Sequence, residues 1–143
     1  MHEGDFSKIS GDHAYDKTGR LEHALDFICD EGMSFYAALD GEVVSVVDHF
    51  KEGGPEEHFF DEGNRLVIRH ANGEYTAYEH FEYKGLVVKF GDQVEEGQLL
   101  GYTGATGYIL KGVPHLHFEV FHFTGPNAKE DYQTDPVDFK EAA

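Results

Sequence analysis

The feature that most constrains this chain is the dipeptide Asn72-Gly73, set between Arg65-Leu66-Val67-Ile68-Arg69-His70 and Glu74-Tyr75-Thr76-Ala77-Tyr78-Glu79-His80-Phe81. Asn and Gly both tolerate positive φ, which a tight turn between antiparallel strands requires. The flanking runs are rich in Val, Ile, Tyr and Thr, so the whole stretch predicts a β-hairpin. Asp40-Gly41 stands in the same way between residues 35–39 and 42–48 and predicts a second one. Seventeen glycines in 143 residues add many tight bends. The expected class is all-β, mainly antiparallel strands folded over into a small barrel or sandwich, with little helix.

A length of 143 residues with 40% hydrophobic and 14% aromatic side chains suits one domain with a real core. Residues 1–20 are polar and without period, and predict an arm or loop. Residues 51–63, which mix charge, glycine and proline, predict a surface loop. The first good strand is Leu21-Glu22-His23-Ala24-Leu25-Asp26-Phe27-Ile28, where Asp26 among apolar neighbours is either paired, bound to a metal, or on an edge facing water. In the tail, residues 134–139 predict one helical turn near Pro136.

Eleven Lys and Arg against 28 Asp and Glu give a formal charge of −17. That charge argues against nucleic acid or an anionic membrane as a partner. A salt-adapted host or a locally cationic substrate would each fit it. Cys29 is the one cysteine, so no internal disulfide can form. No membrane span and no signal peptide are expected, because the first residues are polar and acidic and no long apolar run follows.

The chemistry concentrates in Pro114-His115-Leu116-His117-Phe118-Glu119-Val120. Side chains two apart on a strand share a face, so His115 and His117 present two imidazoles on one side of it, suited to metal binding or proton transfer. In a chain with ten histidines such a pair can also be coincidence. Of the others, His70 reads as a structural hydrogen-bonding residue, His122 as facing away from the pair, and His2, His49 and His58 as solvated. Tyr78 reads as a core tyrosine or a groove lining.

The order of these segments resembles the lysostaphin-type zinc metallopeptidases, the peptidoglycan endopeptidases. The resemblance runs over residues 21–121, through Ala24-Leu25-Asp26-Phe27, Ala38-Leu39-Asp40-Gly41, Val67-Ile68-Arg69-His70, Tyr78-Glu79-His80-Phe81, Gly91-Asp92-Gln93-Val94 and His115-Leu116-His117, with Asp135-Pro136-Val137-Asp138-Phe139 resembling the exit segment. The resemblance implies a strand-rich fold with an open groove, a Zn²⁺ cofactor, and a peptide or peptidoglycan substrate outside the cytoplasm. It implies Asp26 and His117 as metal ligands, with His80 and His115 as the two active-site histidines that do not bind metal. Imidazoles and one carboxylate suit Zn²⁺ on chemical grounds as well.

The chain departs from this pattern at the first metal ligand. Four residues before Asp26, where the family has histidine, stands Glu22. His23 lies three before Asp26, on the opposite face of a regular strand, and some relatives supply the histidine from further upstream, where His13 stands. His13 and His23 are equal candidates, with Glu22 a third. Gly91-Asp92-Gln93-Val94 and Gly97-Gln98-Leu99-Leu100 also resemble the barrel core of biotinyl and lipoyl carrier domains and of the His-phosphorylated glucose-type phosphocarriers of sugar uptake, and a silent binding or regulatory module on the same fold is a further alternative. A biotinyl or lipoyl carrier is disfavoured, because the Asp40-Gly41 turn offers no lysine.

Overall fold

The computed structural model describes residues 8–10, 23–109, 113–127 and 131–136, with backbone alone for residues 8–10 and 60. Its centre is the hairpin expected at Asn72-Gly73. Strand β6 (Arg65–Arg69) pairs antiparallel with β7 (Tyr75–Glu79), Arg69 opposite Tyr75, and Gly73 takes φ +85°. That φ is in the left-handed region, which glycine enters at little cost.

From this hairpin a large antiparallel sheet grows outward in the order β1 (Lys8–Ser10), β2 (Leu25–Ile28), β12 (His115–Phe123), β7, β6, β4 (Gly41–Val47) and β9 (Gln93–Val94). Strand β12 is long enough to hold two partners end to end opposite β7. Its first half pairs with β2, and its second half pairs with β13 (Tyr132–Asp135). A smaller antiparallel sheet contains β3 (Ser34–Tyr36), β10 (Leu99–Thr103) and β8 (Phe81–Leu86), while β5 (Gly53–Gly54) and β11 (Gly107–Tyr108) pair in parallel. The all-β expectation holds, and the described residues contain no helix beyond one 3-10 turn at Glu57–Asp61.

Period-two alternation sorts the large sheet into two faces. Leu116 and Phe118 of β12, Leu66 and Ile68 of β6, Tyr78 of β7 and Phe27 of β2 turn inward to meet Phe35, Phe81 and Leu100. Phe35 stacks on Tyr78 and Phe81 with ring centroids 5.6 and 5.9 Å apart. Full burial of such a side chain contributes roughly 1.5–3 kcal/mol, so this seam is a main source of stability. Tyr78 is therefore a core tyrosine, and its hydroxyl accepts a hydrogen bond from the Ala38 amide at 2.9 Å.

Four local expectations are corrected. Asp40-Gly41 does not close a hairpin: β3 leaves to pair with β10, while β4 pairs with β6 and β9. Gly41 is needed for another reason, because a Cβ there would lie 2.4 Å from the Arg69 carbonyl oxygen. Residues 132–135 of the tail form β13, with Thr134 opposite Phe121, because the second half of β12 has an open edge to fill. Residues 137–139, the rest of the expected turn, lie outside the described residues. Residues 8–10 of the arm form β1, so β2 is no edge strand, and the water-facing edge reading of Asp26 fails with it. The loop at 51–63 contains β5 and the 3-10 turn.

Candidate active site

The outward face of the large sheet carries the chemistry. Register places His117 opposite Asp26 on one side and Glu79 on the other, and Glu79 opposite Arg65. Four strands thus contribute one continuous row, Arg65–Glu79–His117–Asp26, of alternating sign when the imidazole is protonated. Asp26 Oδ1 lies 3.1 Å from His117 Nδ1 and 3.5 Å from His115 Nε2. The predicted shared face of His115 and His117 is therefore realised, with Asp26 brought against both.

His80 reaches the same place by a different device. On a regular strand it would follow Tyr78 into the core, but its φ of +73° breaks the alternation. A non-glycine residue pays strain for that conformation, and such strain gathers at functional sites. Its ring ends 4.8 Å from the His115 ring and 5.9 Å from the His117 ring, centroid to centroid. The His80 amide donates to the Asn64 carbonyl at 3.0 Å, which fixes the twisted backbone.

His80 and His115 are held alike. The Nδ1–H of His80 donates to the Thr106 carbonyl at 2.7 Å, and that of His115 to the Val113 carbonyl at 2.9 Å. In the neutral form of either ring Nε2 would then be the basic nitrogen. Burial pushes the His80 pKa down to about 4, against the opposing pull of Glu79, with the charges of His115 and His117 adding to the depression. His80 is thus neutral through the physiological range.

His117 behaves oppositely. Burial works against its charged form, but Glu79 and the hydrogen bonds to Asp26 and Glu119 outweigh it and raise its pKa well above the ordinary value. Nε2–H donates to Glu119 Oε1 at 2.9 Å, and Glu79 Oε2 stands 3.7 Å from the same nitrogen. Arg65 pairs with Glu79 and lies 3.7 Å from Glu119. Burial opposes the Glu79 charge, yet Arg65, His117 and His80 lower its pKa to about 2.

Glu79, His117 and Glu119 each offer a donor atom within 4.8 Å of the others, the spacing of a cation site. Arg65 already places a guanidinium against both carboxylates. The other ring nitrogen of His117, Nδ1, faces Asp26. Donor chemistry there, one carboxylate oxygen and one imidazole nitrogen, fits Zn²⁺.

Of the first-ligand candidates, His23 sits in the turn before β2, half-buried, its amide donating to Thr134 Oγ1 at 3.0 Å. His13 and Glu22 lie outside the described residues. His70 is structural as expected: it is buried, with Nδ1–H donating to the Asp40 carbonyl at 2.6 Å and Nε2 accepting from Thr76 at 2.9 Å. His122 bonds Asp135 at the surface, and His49 and His58 are exposed.

Sequence reading missed Arg65, Glu79 and Glu119. Period two alone reaches Glu119, which is two residues past His117 on the same strand. Glu79 and Arg65 become visible only once the hairpin register is known. Further along this face lies a cleft of about 360 Å³ lined in part by Arg65, Arg69, Tyr75, Phe121, Phe123 and Tyr132. Phe121 is four residues beyond His117 on β12, roughly 13 Å at strand rise.

Residues 20–136 match the model of peptidase family M23. The chain is 32% identical over 121 residues to the cell division protein DipM of Caulobacter vibrioides, covering 85% of this chain and 17% of that protein. It is 36% identical over 105 residues to the peptidoglycan DD-endopeptidase ShyB of Vibrio cholerae, covering 72% of this chain and 21% of that one. The catalytic domain of lysostaphin from Staphylococcus simulans superposes with a TM-score of 0.57 at 26% identity, over 78% of this chain and 74% of that one. A zinc-containing peptidase from Vibrio cholerae does so with a TM-score of 0.53 at 35% identity, over 68% of this chain and 26% of that one. The chain thus spans a fifth or so of the curated relatives it matches.

Proposed function

Because the chain belongs to peptidase family M23, we propose that it is a zinc-dependent endopeptidase acting on peptide bonds of bacterial peptidoglycan, outside the cytoplasm. The observation that carries this reading is the approach of Asp26 Oδ1 to His117 Nδ1 at 3.1 Å, with two further buried histidines beside them. Asp26 and His117 would hold the metal, joined by one ligand from upstream of β2, for which His13, His23 and Glu22 remain the candidates. Zinc held there supplies a Lewis acid and a bound water whose pKa falls to about 7.

The remaining work falls to the chain's own residues. His80 and His115 divide two roles between them: the neutral His80 would accept the attacking water's proton at Nε2 and deliver it to the leaving amine, and His115, when it carries a proton on Nε2 as well as on Nδ1, would stabilise the oxyanion. The carbonyls of Thr106 and Val113 hold these rings in orientation through Nδ1–H. Arg65 and Glu79 fix the row from the far side. The aromatic cleft further along the face would receive the substrate some four extended residues from the scissile bond.

Metal analysis of the purified protein, paired with digestion of wall fragments, tests the proposal. One zinc per chain and new peptide termini are expected. A chain that takes up no zinc when it is supplied would instead be the silent module on the same fold.

A further inference from the structure

Glu119 occupies a place where a carboxylate is hard to justify by packing. It is fully buried, and its register partner Ala77 lies in turn opposite Val67, both buried and apolar. Its Oε2 has no hydrogen-bond partner among the described residues. A buried, half-satisfied carboxylate destabilises a fold relative to an apolar side chain of similar size. The other oxygen does one specific thing, accepting Nε2–H of His117 at 2.9 Å. Arg65, 3.7 Å away, keeps a compensating charge at hand.

We infer that Glu119 is the positioning residue that makes Nδ1, rather than Nε2, the metal-binding nitrogen of His117. With the proton held on Nε2 by the carboxylate, Nδ1 is the nitrogen left to bind, and it is the one aimed at Asp26. The arrangement is a carboxylate–histidine pair behind a metal ligand: the carboxylate fixes the ring's rotation and raises the basicity of the ligating nitrogen. Arg65 and Glu79 brace it, since Arg65 bonds Glu79 across β6 and β7 and reaches Glu119 across a further strand. The inference rests on the zinc reading above, and deepens it by naming a residue that tunes the metal without touching it.

The test measures zinc affinity by competition with a chromophoric chelator for the intact chain and for Glu119→Gln, Glu119→Ala and Glu74→Gln. Glu74, half-buried just after the hairpin turn and bonded there by the Asn72 side-chain amide, controls for loss of one negative charge. The expected result is a zinc dissociation constant raised by about 10–100-fold in Glu119→Ala. Glu119→Gln should fall between it and the wild type, because a neutral amide oxygen accepts the same proton more weakly. Glu74→Gln should match the wild type. Nitrogen NMR of the zinc-loaded wild type supplies a readout that a purely structural role would not move and that needs no variant to fold. His117 should keep a proton on Nε2 and carry the metal on Nδ1.

Metal on Nε2, or a Glu119→Ala constant within about twofold of wild type, overturns the inference while leaving the peptidase reading standing. A wild type that takes up no zinc overturns both, and is told apart by the first titration.

Discussion

Asp26 and His117, 91 residues apart in the chain, are register partners across β2 and β12, with Oδ1 3.1 Å from Nδ1. Backbone pairing, and not a flexible loop, brings them together. Sites built on strands hold their geometry more tightly than sites on loops. The same register carries the row on through Glu79 to Arg65, so that the candidate metal ligand His117 sits mid-sheet between charged neighbours.

Loss of either Asp26 or His117 should therefore empty the site. Asp26→Ala and His117→Ala are expected to come off a desalting column without zinc, whereas His115→Ala should retain one zinc and lose about 10²–10⁴-fold in turnover. Elemental analysis beside a single-turnover assay checks this. Equal metal loss in all three variants would dissolve the division between ligands and proton carriers.

Acid should act through the metal and not through His80. The raised pKa of His117 means that the metal-free protein holds a proton there near neutrality, which zinc must displace. Zinc binding should thus release protons at pH 7, seen as a dependence of the calorimetric heat on buffer ionisation enthalpy. Apparent affinity should weaken as pH falls. His80, with its pKa near 4, stays neutral until well below pH 5. Activity and zinc occupancy are accordingly expected to decline together as pH falls from neutrality, because the raised His117 pKa puts proton competition there already. Activity lost with zinc still bound would assign the acid limb to another group.

Gly107 packs behind the His80 ring. Its φ is +82°, and a Cβ there would stand 2.6 Å from the Gly63 Cα and 3.2 Å from His80 Nδ1. Gly107→Ala combines backbone strain with a clash against the ring that the Thr106 carbonyl orients. A loss of roughly 1–3 kcal/mol in stability is expected, with turnover falling and zinc content unchanged. Thermal unfolding and metal analysis on one sample separate the two effects; full activity would show that His80 has more freedom than its contacts suggest.

The aromatic cleft should matter for binding alone. Phe123 is 40% exposed and packs its ring 4.9 Å from Tyr75. Phe123→Ala is expected to raise KM several-fold on wall fragments while kcat stays within about twofold, the pattern of lost uniform binding. Steady-state kinetics on fragments of increasing length decide it, since the effect should vanish on substrates too short to reach from His117 to Phe121.

The alternation of β12 and the Asn72-Gly73 turn were legible because both are local rules. Side chains two apart on a strand must share a face, and an Asn-Gly pair between β-formers closes a hairpin. His115, His117 and the β6–β7 pairing follow from these alone. Asp26 stood out as a carboxylate in an apolar run, a cost that demanded a partner. Asp40-Gly41 carried the same local mark as Asn72-Gly73 and misled, because a dipeptide says that the chain can turn and does not say which strand the outgoing segment will meet. In the fold, Ser34–Tyr36 finds its partner in Leu99–Thr103, more than sixty residues away.

Tertiary structure alone decided the rest. At φ +73° the His80 amide meets the Asn64 carbonyl and its ring meets the Thr106 carbonyl, and neither contact has a trace in the neighbouring sequence. Arg65, Glu79 and Glu119 gained their roles from the register of three strands, which sets who faces whom across the sheet. Sequence determined which side chains could share a face; long-range pairing determined which of those faces met, because hydrogen-bonded register is fixed only when distant strands assemble.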